Sequence, residues 1–381
     1  MLKKIIFLFL SWRIFLFIPL FIAQALIPYR HGYPYTSPLY FLDDTKSIVS
    51  HFLLSPWLNF DGVYYLLIAA NGYTVNAGFF PLFPISIHLT STIFGEVMAF
   101  DFAQYAIALI LVSLYFLLSL ITMFKLVKID YKEKIAIWSI IFMLLFPTSF
   151  FFASIYSESL FLLLALSSFY FARKKRWILA SLCGGLLTAT RLVGVAIIPV
   201  LLYEFLKQEK SLFKIKALPL FLTFLGILSY MWFNLQKWGN AFYFIQAQGN
   251  FENNRSTTSL ILIPQTIYRY IKILTGVSLR QFEWWVALLE ISTFIFVVVM
   301  LFVAWKKKIR ASYILFALIC FLIPISSGTF TGLPRYSLVL FPIFITLALI
   351  GNRFSKISYS IISVVFLFIL FMLFSKGYYI S

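Results

Sequence analysis

The run AQYAIALILVSLYFLLSLITMF, residues 103–124, followed at once by KLVKIDYKEK, residues 125–134, decides the fold class. The first stretch has no charged residue and is long enough to cross a bilayer, which takes roughly 20 residues of helix. It stops against Lys125, Lys128, Lys132 and Lys134. The same pattern recurs along the chain. Apolar runs alternate with basic clusters at Lys3-Lys4, Arg173 to Arg176, Lys207 to Lys216, Lys306 to Arg310 and Arg353 to Lys356, which hold most of the 31 Lys and Arg residues. Clusters of this kind between spans mark the cytoplasmic side.

The composition agrees. The 381 residues are 62% hydrophobic and 12% charged, with a mean hydropathy of +0.95, which excludes an ordinary soluble domain. The runs are continuous rather than alternating, which argues against a transmembrane β-barrel. The net charge of +18 is spread over inter-span clusters, so it argues against nucleic-acid binding. Cys183 and Cys320 each sit in an apolar run, with neither metal spacing nor the setting of a disulfide. Residues 1–28 have no small-residue cleavage site and read as an uncleaved first span.

The expectation is an all-α, polytopic membrane protein, one domain over residues 1–381. Crossings are predicted near 5–28, 103–124, 135–153, 159–172, 177–191, 193–207, 217–235, 286–305, 311–326, 336–350 and 359–377. That makes about eleven, with the N-terminus inside and the C-terminus outside. Residues 29–101 form a first extracytoplasmic loop and 236–285 a second, the latter carrying Glu252, Arg255, Arg280 and Glu283. Short interfacial helices are expected over 30–75. Residues 81–99 are apolar enough to cross, but a crossing there would put Lys125 to Lys134 outside. Pro81, Pro84 and Gly95 instead suit a re-entrant or interfacial helix.

This topology gathers polar groups on the outer side: Asp61, the Tyr156-Ser157-Glu158 turn, Arg191 and the Arg335-Tyr336 pair. Asp61, in SPWLNFDGVYYLLIAANGY (residues 55–73), is one of only 13 acidic residues in the chain. A carboxylate is costly near hydrocarbon, so it needs a role or a partner. Two compatible readings stand: an N-cap for a short helix closed by Asn71-Gly72, and a general base for an attacking hydroxyl. A helix N-terminus favours the negative charge that a base requires.

Arg191 breaks the run SLCGGLLTATRLVGVAIIP. It either snorkels to the interface or offers its planar fork to a phosphate, with small neighbours leaving room for a ligand. Arg335, in GLPRY, admits the same pair of readings. Arg13, inside the first span, is expected to pair a carboxylate or reach a headgroup. Glu158 caps a helix or orients a ligand. Trp57, Tyr64, Tyr65 and Tyr73 stack on sugars or form an interfacial aromatic belt. Asp43, Asp44, His31, His51 and His88 share the first external segment, but no spacing resembles a metal motif, so neither metal nor cofactor is expected.

WLNFDGVYYLLIAANGY with FFPLFP resembles the first lumenal loop of the GPI mannosyltransferase II (PIG-V-like) family. FPTSFFFASIYSESLFLLLALSSFYFARKKRWILASLCGGLLTATRLVG and GLPRYSLVLFP resemble two further stretches of that family in the same order. The resemblance covers most of residues 55–200 and then 328–345. It implies a GT-C-type helical bundle and an inverting transfer of a hexose, mannose by expectation. The implied donor is a polyprenyl-phosphate sugar, and the implied acceptor a glycan or a lipid-linked molecule. The site would face the extracytoplasmic side of the cell membrane. Asp61 would stand where the family has its base, Arg191 and Arg335 at its arginine positions. Those arginines would hold the donor phosphate, and Glu158, Tyr156, Tyr336, Trp57 and Tyr65 would position substrate. The chain shows no extra lumenal domains, so a GPI acceptor does not follow. A nucleotide-sugar donor is disfavoured, since there is no Gly-rich phosphate loop. A non-enzymatic lipid-sugar translocase stands as the rival, although polar groups concentrated at one face, without internal repeats, favour an enzyme.

Overall fold

A computed structural model of the chain describes residues 1–30, 55–74, 77–95, 99, 101–211, 215–250, 255–257 and 259–380. His31, Asp43, Asp44, His51 and Glu252 lie outside these. The described residues form helices and turns, with no strand among them. Among the described residues five helical segments are long and apolar enough to cross a membrane: Leu2–Leu26, Phe102–Asp130, Ile215–Trp238, Phe282–Lys306 and Arg353–Ser375. Each falls on a predicted crossing. The other predicted crossings coincide with helices of 8 to 16 residues. At 1.5 Å per residue, 12 residues reach about 18 Å, short of the ~30 Å hydrocarbon layer. Five of the eleven expected crossings are thus met by helices of spanning length, and the other six fall on shorter helices joined by turns and 3₁₀ segments.

The chain divides into two compact units. The first holds residues 1–167 and 351–380. It opens with α1 (Leu2–Phe15) and α2 (Phe17–Leu26), one apolar run interrupted at Leu16. Pro19 explains the break: it has no N–H to donate and its ring crowds the carbonyl four residues back, that of Phe15. Next come α3 (Asp61–Asn71), α4 (Leu82–Ser91) and α5 (Phe102–Asp130). The 10 residues of α4 span about 15 Å. His88 of α4 bonds the Ala69 carbonyl of α3 at 2.7 Å. Asp101 caps α5 by accepting from the Ala103 N–H, and Lys128 stands in its last turn, complementing the helix dipole at both ends. α6 (Glu133–Leu144) packs back on α5, and α7 (Glu158–Arg173) follows a buried Phe-rich turn. The C-terminal helix Arg353–Ser375 packs on α2.

The second unit spans residues 168–350. It contains α8 (Trp177–Thr188), α9 (Ile197–Glu209), a 3₁₀ helix over Ile215–Phe224 and α10 (Leu225–Trp238). Then come the short α11 (Tyr243–Gln246), α12 (Ile263–Gly276), α13 (Phe282–Lys306) and α14 (Ala311–Ile325). The four-residue α15 (Leu333–Tyr336) and α16 (Pro342–Leu349) complete it. Glycines set its tightest packing. A Cβ at Gly185 would lie 2.3 Å from the Leu222 carbonyl oxygen, and one at Gly226 2.1 Å from the Gly185 oxygen. Near the start of α14, Arg310 donates from Nε to both carboxylate oxygens of the buried Glu204 on α9, at 3.1 and 3.0 Å. Gln208 donates to the same carboxylate. One member of a predicted cytoplasmic basic cluster thus ties two helices together.

Candidate functional site

In the first unit the polar residues converge on the start of α3. Asp61 is its first helical residue and is half-buried. The N-cap position belongs to Phe60, with no side-chain cap bond, which corrects the expectation that Asp61 itself is the cap. The C-terminal half of that expectation holds: Gly72, at φ 69°, closes α3 and donates its N–H to the Ile68 carbonyl. Asp61 stands in the first turn, where the helix dipole favours an anion.

Phe60 is the unusual residue. Its φ of 61° is sparsely populated by side-chain-bearing residues and costs of order 1–3 kcal/mol. Its neighbours hold it there. The ring is buried between Phe374 and Tyr379, at centroid distances of 5.7 and 5.0 Å. The preceding Asn59 is fully buried and donates its amide to the Phe374 carbonyl at 2.7 Å.

The Tyr156 turn clamps the same segment. Tyr156 donates its hydroxyl to the Asn59 carbonyl at 2.7 Å, and the Ile155 N–H donates to the Trp57 carbonyl at 2.8 Å. The Tyr65 and Ser157 hydroxyls share a hydrogen bond of 2.8 Å. Trp57, Tyr65, Tyr156 and Glu158 are all buried. Arg13 stacks on the Trp57 ring at 4.2 Å and donates to the Ala153 carbonyl at 3.0 Å. Among the described residues its partners are thus an aromatic face and a backbone oxygen.

In the second unit a ring of cations surrounds Tyr336. The guanidinium carbons of Arg191, Arg335 and Arg255 lie 5.0, 5.3 and 5.4 Å from its ring centroid. Arg255 also donates from Nη2 to the Tyr336 hydroxyl at 3.0 Å and to the Thr331 carbonyl at 2.8 Å. Arg335 is buried, so it is not an interfacial anchor. Two small residues on either side of Arg191 serve a purpose other than the one expected. Gly185 is filled by the Leu222 backbone and Gly194 by the Leu187 carbonyl, so they permit close packing instead of leaving a ligand space.

The loop that presents Arg335 and Tyr336 is stapled along its length. Gly328 and Gly332 take φ of 87° and 85°, a region that favours glycine. Arg269 donates to the Gly328 carbonyl at 3.0 Å, and Ser256 and Ile261 donate backbone N–H groups to the Ser327 and Ser326 carbonyls. The Tyr270 hydroxyl donates to the Glu290 carboxylate and accepts from the Phe330 N–H at 3.0 Å. Burial and the adjacent carboxylate push the Tyr270 phenol well above its usual range, which keeps it a donor.

The sequence reading assigned no role to Arg255, Tyr270 or Glu290. Glu290 was detectable by the logic that singled out Asp61: it is a lone carboxylate within the apolar run of α13.

Apolar helices of spanning length mark an integral-membrane protein. Residues 2–272 match the family described as mannosyltransferase (PIG-V), and the chain belongs to that family. The match takes in Asp61, Glu158, Arg191 and Arg255, while Arg335 and Tyr336 lie beyond it. No curated protein matches the chain. Among solved structures it is similar to the Archaeoglobus fulgidus oligosaccharyltransferase. The apo form is 11% identical with a TM-score of 0.49, over 98% of this chain and 56% of that one. The form tethered to an acceptor peptide containing the NVT sequon is 10% identical with a TM-score of 0.46, over 83% and 51%. The chain thus spans about half the length of those structures.

Proposed function

We propose that the protein is a GT-C-type mannosyltransferase that uses a polyprenyl-phosphate sugar on the extracytoplasmic face. In this reading Asp61 takes the proton of the acceptor hydroxyl as its oxygen attacks the anomeric carbon. The bond from that carbon to the phosphate oxygen breaks on the opposite face, with inversion. The electron pair leaves with the polyprenyl phosphate, and Arg191 and Arg335 neutralise the charge that develops there. The acceptor is a glycan or a lipid-linked molecule.

The observation that carries this reading is the meeting of Arg191 and Arg335 at one aromatic ring, across a long separation in sequence. Guanidinium forks suit phosphate oxygens, and a family of mannosyltransferases supplies the reaction class. The strained Phe60 beside Asp61 supports the second half, because such strain concentrates at functional sites. Trp57, Tyr65 and Tyr156 then act by holding the Asp61 segment, Glu158 by positioning substrate, and Tyr336 by organising the arginines.

The test is transfer from polyprenyl-phosphate mannose by purified protein in liposomes. Asp61→Asn preserves size and removes the base, so transfer should fall by about 10²–10⁴-fold, with melting and donor binding unchanged. Near-normal transfer by a folded Asp61→Asn protein would remove Asp61 from the chemistry. Donor binding without transfer by the wild type, for every acceptor offered, would favour a translocase.

A further inference from the structure

We infer that Arg255 is a third ligand of the donor phosphate, and that the three-arginine site prefers the phosphomonoester that leaves over the phosphodiester that enters. The inference rests on the assignment of Arg191 and Arg335 to phosphate and goes beyond it in residue and in substrate state.

Geometry brings Arg255 to the site. It lies in the short stretch 255–257, far along the chain from both Arg191 and Arg335, yet its guanidinium carbon stands 5.4 Å from the Tyr336 ring centroid. That is the distance at which the other two stand, 5.0 and 5.3 Å. Two hydrogen bonds fix it, to the Tyr336 hydroxyl and the Thr331 carbonyl. Gly332 makes this approach possible. It adopts φ 85°, and a Cβ there would lie 2.9 Å from Tyr336 Cε2 and 3.3 Å from Arg255 Nη2. The fork is thus immobilised before any ligand arrives, which lowers the entropic cost of binding an anion.

Chemistry supplies the preference. A polyprenyl-phosphate sugar is a phosphodiester with one negative charge. Transfer breaks the sugar–phosphate bond and leaves a phosphomonoester, whose second ionisation falls near pH 6. At neutral pH the phosphate therefore gains about one further charge as the reaction proceeds. Interactions that strengthen along that path accelerate the step, whereas those equal in donor and product do not. Three guanidiniums gathered about the Tyr336 ring meet the developing dianion better than the entering monoanion.

The experiment uses the full chain in nanodiscs and two probes of equal chain length: a short polyprenyl monophosphate and its methyl phosphodiester. Direct binding of each is measured at neutral pH, with thermal melting of every variant in parallel. The wild type should bind the monoester on the order of tenfold more tightly. Arg255→Gln should lose most of that preference, weakening the monoester far more than the diester, and Arg255→Lys should recover part of it. An Arg255→Gln protein that keeps the wild-type preference overturns the inference, as does one that weakens both probes equally, which is the mark of a purely structural arginine. Arg255→Lys is judged by the same ratio if the Gln variant does not fold. Separately, unchanged binding of both probes by Arg191→Gln and Arg335→Gln refutes the underlying phosphate assignment.

Discussion

Tyr270 shows how one side chain sets a distant geometry. Its hydroxyl donates to Glu290 of α13 and accepts from the Phe330 N–H, at the centre of the loop that carries Arg335. Tyr270→Phe removes both bonds: the buried Glu290 carboxylate loses one of its donors, and the buried Phe330 amide loses its acceptor, which costs about 1–3 kcal/mol. The expected outcome is a lower melting temperature and a higher KM for the donor, since Arg335 and Tyr336 lose their support. A Tyr270→Phe protein with wild-type melting and KM would show that the loop holds itself. At this scale the sequence was informative where a polar residue stood out against apolar neighbours, as Asp61 and Arg191 do. It placed Arg255 in an external loop but gave it no role, since its adjacent residues are polar and its importance comes only from tertiary convergence. Glu290 was hidden for the opposite reason: its long apolar run read as a span, and the one carboxylate inside it was passed over.

Among the elements, α8 packs tightly against the 3₁₀ helix over Ile215–Phe224 and against the start of α10. Gly185 has the Leu222 carbonyl where a side chain would begin, and Gly226 has the Gly185 carbonyl in the same relation. A methyl at Gly185 must force the two segments apart. Gly185→Ala should therefore destabilise the protein by about 1–3 kcal/mol or more, read as a lower melting temperature in detergent. Leu186→Ala, on the exposed side of α8, serves as the control and should melt much nearer to the wild type. An unchanged melting temperature for Gly185→Ala would mean that the pair separates without cost. The long apolar runs were legible because length and hydropathy alone define them, and five became helices of spanning length. The shorter ones were not, because hydropathy counts apolar residues without sensing where a helix stops. The run predicted over 135–153 becomes the 12-residue α6 and a buried 3₁₀ turn, and that over 193–207 becomes a 3₁₀ turn and the 13-residue α9.

For the whole molecule the decisive question is sidedness, and the charge distribution makes a definite prediction. Basic clusters at Lys125 to Lys134, Arg173 to Arg176 and Lys306 to Arg310 should all face the cytoplasm, and the Asp61 segment should face outward. Glu204 bears on the argument, because its bond to Arg310 neutralises one cluster member. The remaining lysines keep that cluster basic, so the rule still applies there. Single cysteines placed in a chain from which Cys183 and Cys320 have been replaced by alanine read the topology directly. Thr74 and Lys174 are exposed, and each can take cysteine without disturbing the buried core. A membrane-impermeant maleimide added to intact cells should modify Thr74→Cys, a few residues past the end of α3. Lys174→Cys should react only after the membrane is opened. Labelling of both from the same side would place the Asp61 segment with the basic clusters. The donor would then have to be reached from the cytoplasm, and the proposed extracytoplasmic chemistry would fail.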